Sequence, residues 1–115
     1  MKTYGCIIPC YKGDNTTIEI IKELLRLVNY VVLVDDCCPN SIGKIAKEKI
    51  KDKKLIVIKN EYNQGVGASV VKGFIYLLSV ECDFIIKIDA DGQISSSLIP
   101  ELIDKFLDEN IEAIK

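Results

Sequence analysis

Two hydrophobic periods alternate along the chain. Short apolar runs at residues 4–8, 30–34, 55–58 and 84–88 are rich in Ile, Val, Tyr and Phe. Each is too short for a helix and apolar at consecutive positions, which predicts strands buried on both faces of a parallel sheet. Between them the apolar residues recur every three or four positions. Ile18, Ile21, Leu24/Leu25 and Val28 form one stripe, Ile42, Ile45/Ala46 and Ile50 a second, and Val70/Val71, Phe74 and Leu77/Leu78 a third. A fourth runs through Leu98/Ile99, Leu102/Ile103 and Phe106/Leu107, preceded by serines at 95–97 that suit an N-cap, with Pro100 tolerable in the first turn. The order β-α-β-α-β-α-β-α predicts an α/β protein with right-handed crossovers, a three-layer α/β/α sandwich on a mostly parallel, Rossmann-like sheet. No repeat, linker or low-complexity segment interrupts it, so residues 1–115 read as one unit. Ile111-Glu112-Ala113-Ile114-Lys115 reads as the opening of a fifth strand, and the expectation is a fragment that starts at a native Met1 and lacks its C-terminal half.

Composition narrows the chemistry. Hydrophobic residues make up 49% and charged residues 28%, with 7 Gly and 3 Pro, which excludes a disordered or collagen-like chain. Fifteen basic residues against 17 acidic ones give a net charge of −2. From this balance no basic field is expected to hold a polyanion, and nucleic-acid binding is not expected. There is no histidine, which removes Ser-His-Asp and Cys-His nucleophilic machinery. The five cysteines are odd in number and include no C-x-x-C pair, against both a disulfide framework and a zinc site. Cys6 and Cys82 read as small hydrophobes, and nothing basic lies beside Cys37 and Cys38 to activate a thiolate. The N-terminus is too short in apolar residues for a signal peptide, and the longest apolar segment, residues 74–78, is far below a membrane span. A cytosolic, reduced setting is expected.

Ligands of an open parallel sheet bind beyond the carboxyl ends of its strands, so the residues just after each strand matter most. Asp89 and Asp91 are at i and i+2 in an extended segment and share a face. Two carboxylates so placed repel unless a cation lies between them or their ligands, and oxygen-only ligation suits Mg²⁺ or Mn²⁺. An Asp-Gly turn with Asp89 on backbone amides is the competing account. Asp35-Asp36 is a second acidic pair whose consecutive side chains face opposite ways. One of them has access to a cleft, while the other caps the following helix or a loop. Tyr11 follows Pro9 after the first strand and offers either an aromatic face to stack on a base or cover for the core edge. Gly65-Val66-Gly67-Ala68-Ser69-Val70 departs from G-x-G-x-x-G/A at its sixth position, so a plain Rossmann dehydrogenase fits poorly. Those glycines still permit close backbone approach and positive φ before a helix.

Taken together, I-P-C-Y at residues 8–11, V-D-D at 34–36, N-x-G-x-G-A at 63–68 and D-A-D-G-Q at 89–93 resemble family 2 glycosyltransferases of the GT-A fold. The resemblance runs in order from Cys6 to about Leu107 and is strongest toward the bacterial cell-envelope members and polyprenyl-phosphate sugar synthases. It implies that Pro9 and Tyr11 line the base pocket, that Asp36 reads the base while Asp35 is structural, and that Gly67 lets the helix start approach the nucleotide. It further implies that Asp89 meets the ribose or a metal-bound water, that Ala90 lies among the substrate-binding residues, and that Asp91, with Asp89, ligates Mn²⁺ or Mg²⁺ on the diphosphate. Lys12, Gly13 and Asn40 depart from the family's commoner residues, and the family's acceptor-side general base would lie beyond residue 115.

The expected function is therefore transfer of a sugar from a nucleotide-diphosphate donor, by resemblance a UDP-sugar, to a cell-envelope polysaccharide or polyprenyl-phosphate acceptor. The expected location is cytoplasmic, with the full-length protein at the inner face of the membrane. Residues 1–115 alone are expected to bind donor without turnover and to self-associate through surface left bare. The alternatives are a nucleotidyltransferase, for which Lys12-Gly13 is too thin a phosphate loop, and a non-catalytic nucleotide-sugar-binding module.

Overall fold

The computed structural model describes residues 2–89 and Glu101. Four strands, β1 (Tyr4–Cys10), β2 (Tyr30–Asp35), β3 (Leu55–Lys59) and β4 (Phe84–Lys87), alternate with three helices, α1 (Asn15–Leu27), α2 (Ile42–Lys49) and α3 (Val66–Ser79). The sheet is parallel throughout, in the order β3-β2-β1-β4. The chain thus winds outward from β1 through β2 to β3, then crosses back over to place β4 on the other side of β1. That reversal is the topological switch point at which ligands of such sheets bind.

The two-residue period of the strands sorts their side chains into two layers. Cys6, Ile8, Val31 and Leu33 pack under α1 and α2 with Ile18, Ile21, Leu24 and Ala46. Ile7, Val32 and Val34 pack on the opposite face against α3, where Leu77 is fully buried. Helix α3 approaches β1 closely at Gly73: a Cβ there would stand 2.7 Å from Ile7 Cγ2. The three-layer α/β expectation holds. Cys6, Cys10, Cys38 and Cys82 are buried free thiols, as small hydrophobes are, and Cys37 is exposed. Burial, with Cys82 nearby, pushes the Cys6 thiol up to about 12.

Two expectations require correction. The strands are not all buried on both faces: every residue of β3 is partly or wholly exposed, and β4 is only half covered. They are the outer strands of the described sheet, and only β1 and β2 have neighbours on both sides. The first strand also runs two residues further than its apolar run, through Pro9 and Cys10. Proline fits there because of the alternation of the backbone. Cys10 turns its carbonyl to Asp36 N on the β2 side (2.9 Å), while Ile7 turns its carbonyl to Ile88 N on the β4 side (2.9 Å). Pro9 therefore directs its nitrogen toward β4, and with no N–H to follow the Ile88-to-Ile7 bond the β1–β4 ladder closes there, after its last register pair, Ile7↔Lys87.

Candidate donor site at the carboxyl ends of the strands

Cys10 and Asp35 are register partners, so Tyr11 and Asp36 leave the sheet side by side. Continuing the β1–β4 register beyond Ile7↔Lys87 sets Asp89 level with Pro9. The site residues expected from sequence and lying within the described region therefore share one end of the sheet. Tyr11 is 43% exposed and presents its ring to solvent beside the buried Pro9.

The two adjacent carboxylates divide as their alternation requires. Asp35 is buried and turns toward α2, accepting from Cys38 N (2.7 Å) and Gly43 N (2.9 Å). Ser41, the N-cap of α2, makes no side-chain cap bond, so Asp35 supplies an acceptor to the first turn from the neighbouring strand. Its role in the fold is structural.

Asp36 turns the other way, into the loop between β3 and α3. Its Oδ1 accepts from Gln64 N (2.7 Å) and from Asn60 Nδ2 (2.8 Å), and its Oδ2 accepts from Gly65 N (2.9 Å). Asn60 is itself buried at the end of β3; its amide also donates to Ser69 Oγ (3.1 Å), and its carbonyl accepts from Lys72 Nζ (2.6 Å). Burial alone would raise the Asp36 pKa. The amides of Gln64 and Gly65, the Asn60 side chain and the Lys72 charge outweigh it and hold the carboxyl below the usual range. Three of about four acceptor positions on the carboxylate are used, which leaves one on Oδ2 for a further donor.

This network shapes the glycine loop. Gly65 has φ +92°, a conformation that L side chains rarely adopt, and it is the N-cap of α3. Gly67 is exposed in the first helical turn, and among the described residues nothing lies within 4 Å of where a Cβ there would stand. The described residues leave open space where the resemblance puts the nucleotide. Further ties join the loops: Asn40 Nδ2 donates to Gly13 O (3.0 Å), and Gly13 N donates to Cys38 Sγ (3.4 Å).

At the other side of β1, Asp89 is 56% exposed and pairs with Lys87 Nζ at 3.2 Å. Ala90 and Asp91 lie outside the described residues. Among the described residues no group of three or more His, Cys, Asp and Glu side chains gathers to hold a metal. The exposed Asp89 carboxylate offers the oxygen ligation that Mg²⁺ and Mn²⁺ take while keeping several waters, and in this structure it is engaged by Lys87. Asn60, Gln64, Ser69 and Lys72 were not singled out as site residues from sequence, whereas Gly65 was read there as a glycine permitting positive φ before a helix, as it has. Asn60 left a fainter trace: like the acidic residues, it follows directly on a strand.

The sequence matches the family model described as Glycosyl transferase family 2 over residues 6–114. The chain belongs to that family. An uncharacterized protein of Methanocaldococcus jannaschii is 34% identical over 111 residues, covering 94% of this chain and 48% of that protein. The UDP-N-acetylglucosamine–dolichyl-phosphate N-acetylglucosaminyltransferase of Methanococcus voltae is 27% identical over 123 residues, covering 94% of this chain and 49% of that protein. The chain thus spans about half the length of the curated relatives it matches. Among solved structures, S. aureus TarS (residues 1–349) superposes with a TM-score of 0.65 at 25% identity, covering 95% of this chain and 33% of that one. A TarS crystal with UDP gives the same TM-score at 24% identity, covering 95% and 32%. The fold is that of GT-A glycosyltransferases, and the family is one of transferases.

Proposed function

We propose that this chain is the donor-binding half of a glycosyltransferase that moves a sugar from a UDP-linked donor to a cell-envelope polysaccharide or a polyprenyl phosphate. The observation that carries the reading is the convergence of Pro9, Tyr11, Asp36 and the Gly65–Gly67 loop at the carboxyl end of β1 and its neighbours, beside the switch point. The M. voltae relative, named for a UDP-sugar donor and a lipid-phosphate acceptor, supports the choice of both substrates.

In this reading Tyr11 stacks on the base, and the remaining acceptor position on Asp36 Oδ2 takes an N–H from it. The internal bonds to Asn60, Gln64 and Gly65 hold that carboxylate ionised and immobile, so selecting a base costs no reorganisation. The open face over Gly67 admits the nucleotide to the start of α3, where unpaired amides favour its negative charge. Asp89 and Asp91 would hold the divalent cation, Mn²⁺ or Mg²⁺. When bound, that cation offsets charge on the departing nucleoside diphosphate. The chain spans about half of its curated relatives, and in this reading residues 1–115 bind donor without transfer.

Calorimetric titration of UDP and GDP, with and without Mn²⁺, tests the proposal on the wild-type chain and on Asp91→Asn. The expected result is UDP binding that Mn²⁺ strengthens and the substitution weakens. Equal binding of GDP would overturn the uracil preference. Binding of neither nucleotide in Mn²⁺ would overturn the donor-site reading.

A further inference from the structure

The net charge of −2 conceals a strong segregation. Between residues 44 and 59 the chain carries seven lysines against Glu48 and Asp52, a local excess of five positive charges, which leaves −7 on the rest. The structure gathers these lysines along one border of the sheet. Helix α2 runs antiparallel to β3 beside it and exposes Lys44, Lys47 and Lys49. Lys51 and Lys53 are exposed in the turn between them, and Lys59 is exposed at the end of β3. Two clefts of about 360 Å³ open on this border. One lies between Lys44, Lys47 and Lys59, and the other brings Lys49 and Lys51 beside Lys22 and Arg26 of α1.

Folding needs only part of this charge. Lys47 and Lys49 complement the carboxyl end of α2, and Lys59 guards an outer strand. Lys54 is tied back to the Leu25 carbonyl. Lys44, in contrast, stands in the first turn of α2, where a cation opposes the helix dipole. The ion pairs among the described residues are Lys22–Glu19, Arg26–Glu23 and Lys87–Asp89, so none of the seven lysines meets a carboxylate. Glu48 and Asp52 each line one of the two clefts, and a net positive field remains along the border.

We propose that this α2–β3 border is a docking surface for the anionic headgroups of a lipid bilayer. Three features choose lipid over nucleic acid. Every basic residue of the segment is lysine, a point charge without arginine's planar fork for phosphate and base edges. The segment contains no aromatic residue, so it offers no platform on which bases stack. The lysines are spread along a border about five strand residues long instead of lining a single groove, as contact with a plane requires. Docked this way the strands lie parallel to the membrane and their carboxyl ends open along it. The inference rests on the charge layout and is independent of the donor reading.

Each basic side chain close to an anionic bilayer contributes about fivefold to the partition constant, and the effect falls off within a Debye length. The test is flotation of the purified protein with vesicles of phosphatidylcholine alone and with added phosphatidylglycerol, at low and high salt. Lys44, Lys53 and Lys59 are exposed and outside the last turn of α2, so their replacement leaves the fold intact by circular dichroism. Binding to the anionic vesicles alone is expected. It should fall about 100-fold in Lys44→Gln/Lys53→Gln/Lys59→Gln, vanish in the corresponding triple Glu variant, and weaken in high salt. Equal binding to neutral vesicles, or undiminished binding by the Glu variant, overturns the proposal. So does a single-stranded RNA oligonucleotide that binds tighter than the anionic vesicles and displaces them. UDP binding by the same variants should be unchanged, which separates a failure here from a failure of the donor site.

Discussion

Replacing Asp36 by Asn isolates the charge that organises the β3–α3 loop. The amide is isosteric, but its NH₂ cannot accept a hydrogen bond. If the NH₂ takes the Oδ2 position it faces Gly65 N–H, and one charge-assisted bond is lost. If it takes the Oδ1 position it faces both Gln64 N and Asn60 Nδ2, and two are lost. The first is the cheaper arrangement. A hydrogen bond to a charged group contributes about 1.5–3 kcal/mol net, and the remaining bonds weaken when the acceptor becomes neutral. Gln64 and Gly65 are only partly buried, so water can reach the orphaned amide and reduce the penalty. The expected destabilisation at pH 7 is about 2 kcal/mol, read as a shift of the urea midpoint at constant slope. The pH dependence is a second check. The Asp36 pKa is lowered in the folded state, so its contribution is complete above the ordinary carboxylate pKa and is lost as pH falls through the folded value. The gap between wild type and variant should thus be constant from pH 8 to 5 and should close below pH 4. A variant within 0.5 kcal/mol (about the error of such a difference) of wild type at pH 7 would refute the reasoning.

Other outcomes follow from the same geometry. Gly65→Ala forces an L side chain to φ +92° and should cost about 1–2 kcal/mol, while Gly67→Ala, in a helix with open space around it, should gain up to about 1 kcal/mol. If Gly67→Ala is more stable yet binds UDP normally, close approach of the nucleotide at that position is wrong. Asp35→Ala leaves Cys38 N and Gly43 N without their acceptor in a buried site and should destabilise by about 2–4 kcal/mol, measured by thermal or urea unfolding. Brief iodoacetamide treatment of the folded protein at pH 8 should label Cys37, the exposed thiol, and spare Cys6 and Cys10. Burial raises the latter two to about 12 and about 11, and peptide mass spectrometry would contradict this by finding Cys6 labelled first.

What the sequence determined was periodic and local. Runs of β-branched residues separated by three-four stripes dictate strands and helices. They also dictate the parallel sheet, because short consecutive apolar runs have to be covered on both faces. The placing of chemistry after the strands was legible for the same reason, and so was the opposite facing of Asp35 and Asp36; which of the two serves α2 and which the β3–α3 loop came from their partners in the fold. Three things needed the tertiary structure. Strand order set which strands are outermost, and hence why β3 is half exposed although its run, Leu-Ile-Val-Ile, looks as buried as any other. Register showed Pro9 to be a strand residue, held by its pairing with Val34 while the β1–β4 ladder closes beside it. The network around Asp36 joins residues up to 29 apart in sequence and depends on one buried amide, Asn60, whose significance comes from what it touches. Charge behaved the same way: a total of −2 is a sum, and the antiparallel run of α2 along β3 set six of the seven lysines of residues 44–59 on one exposed border.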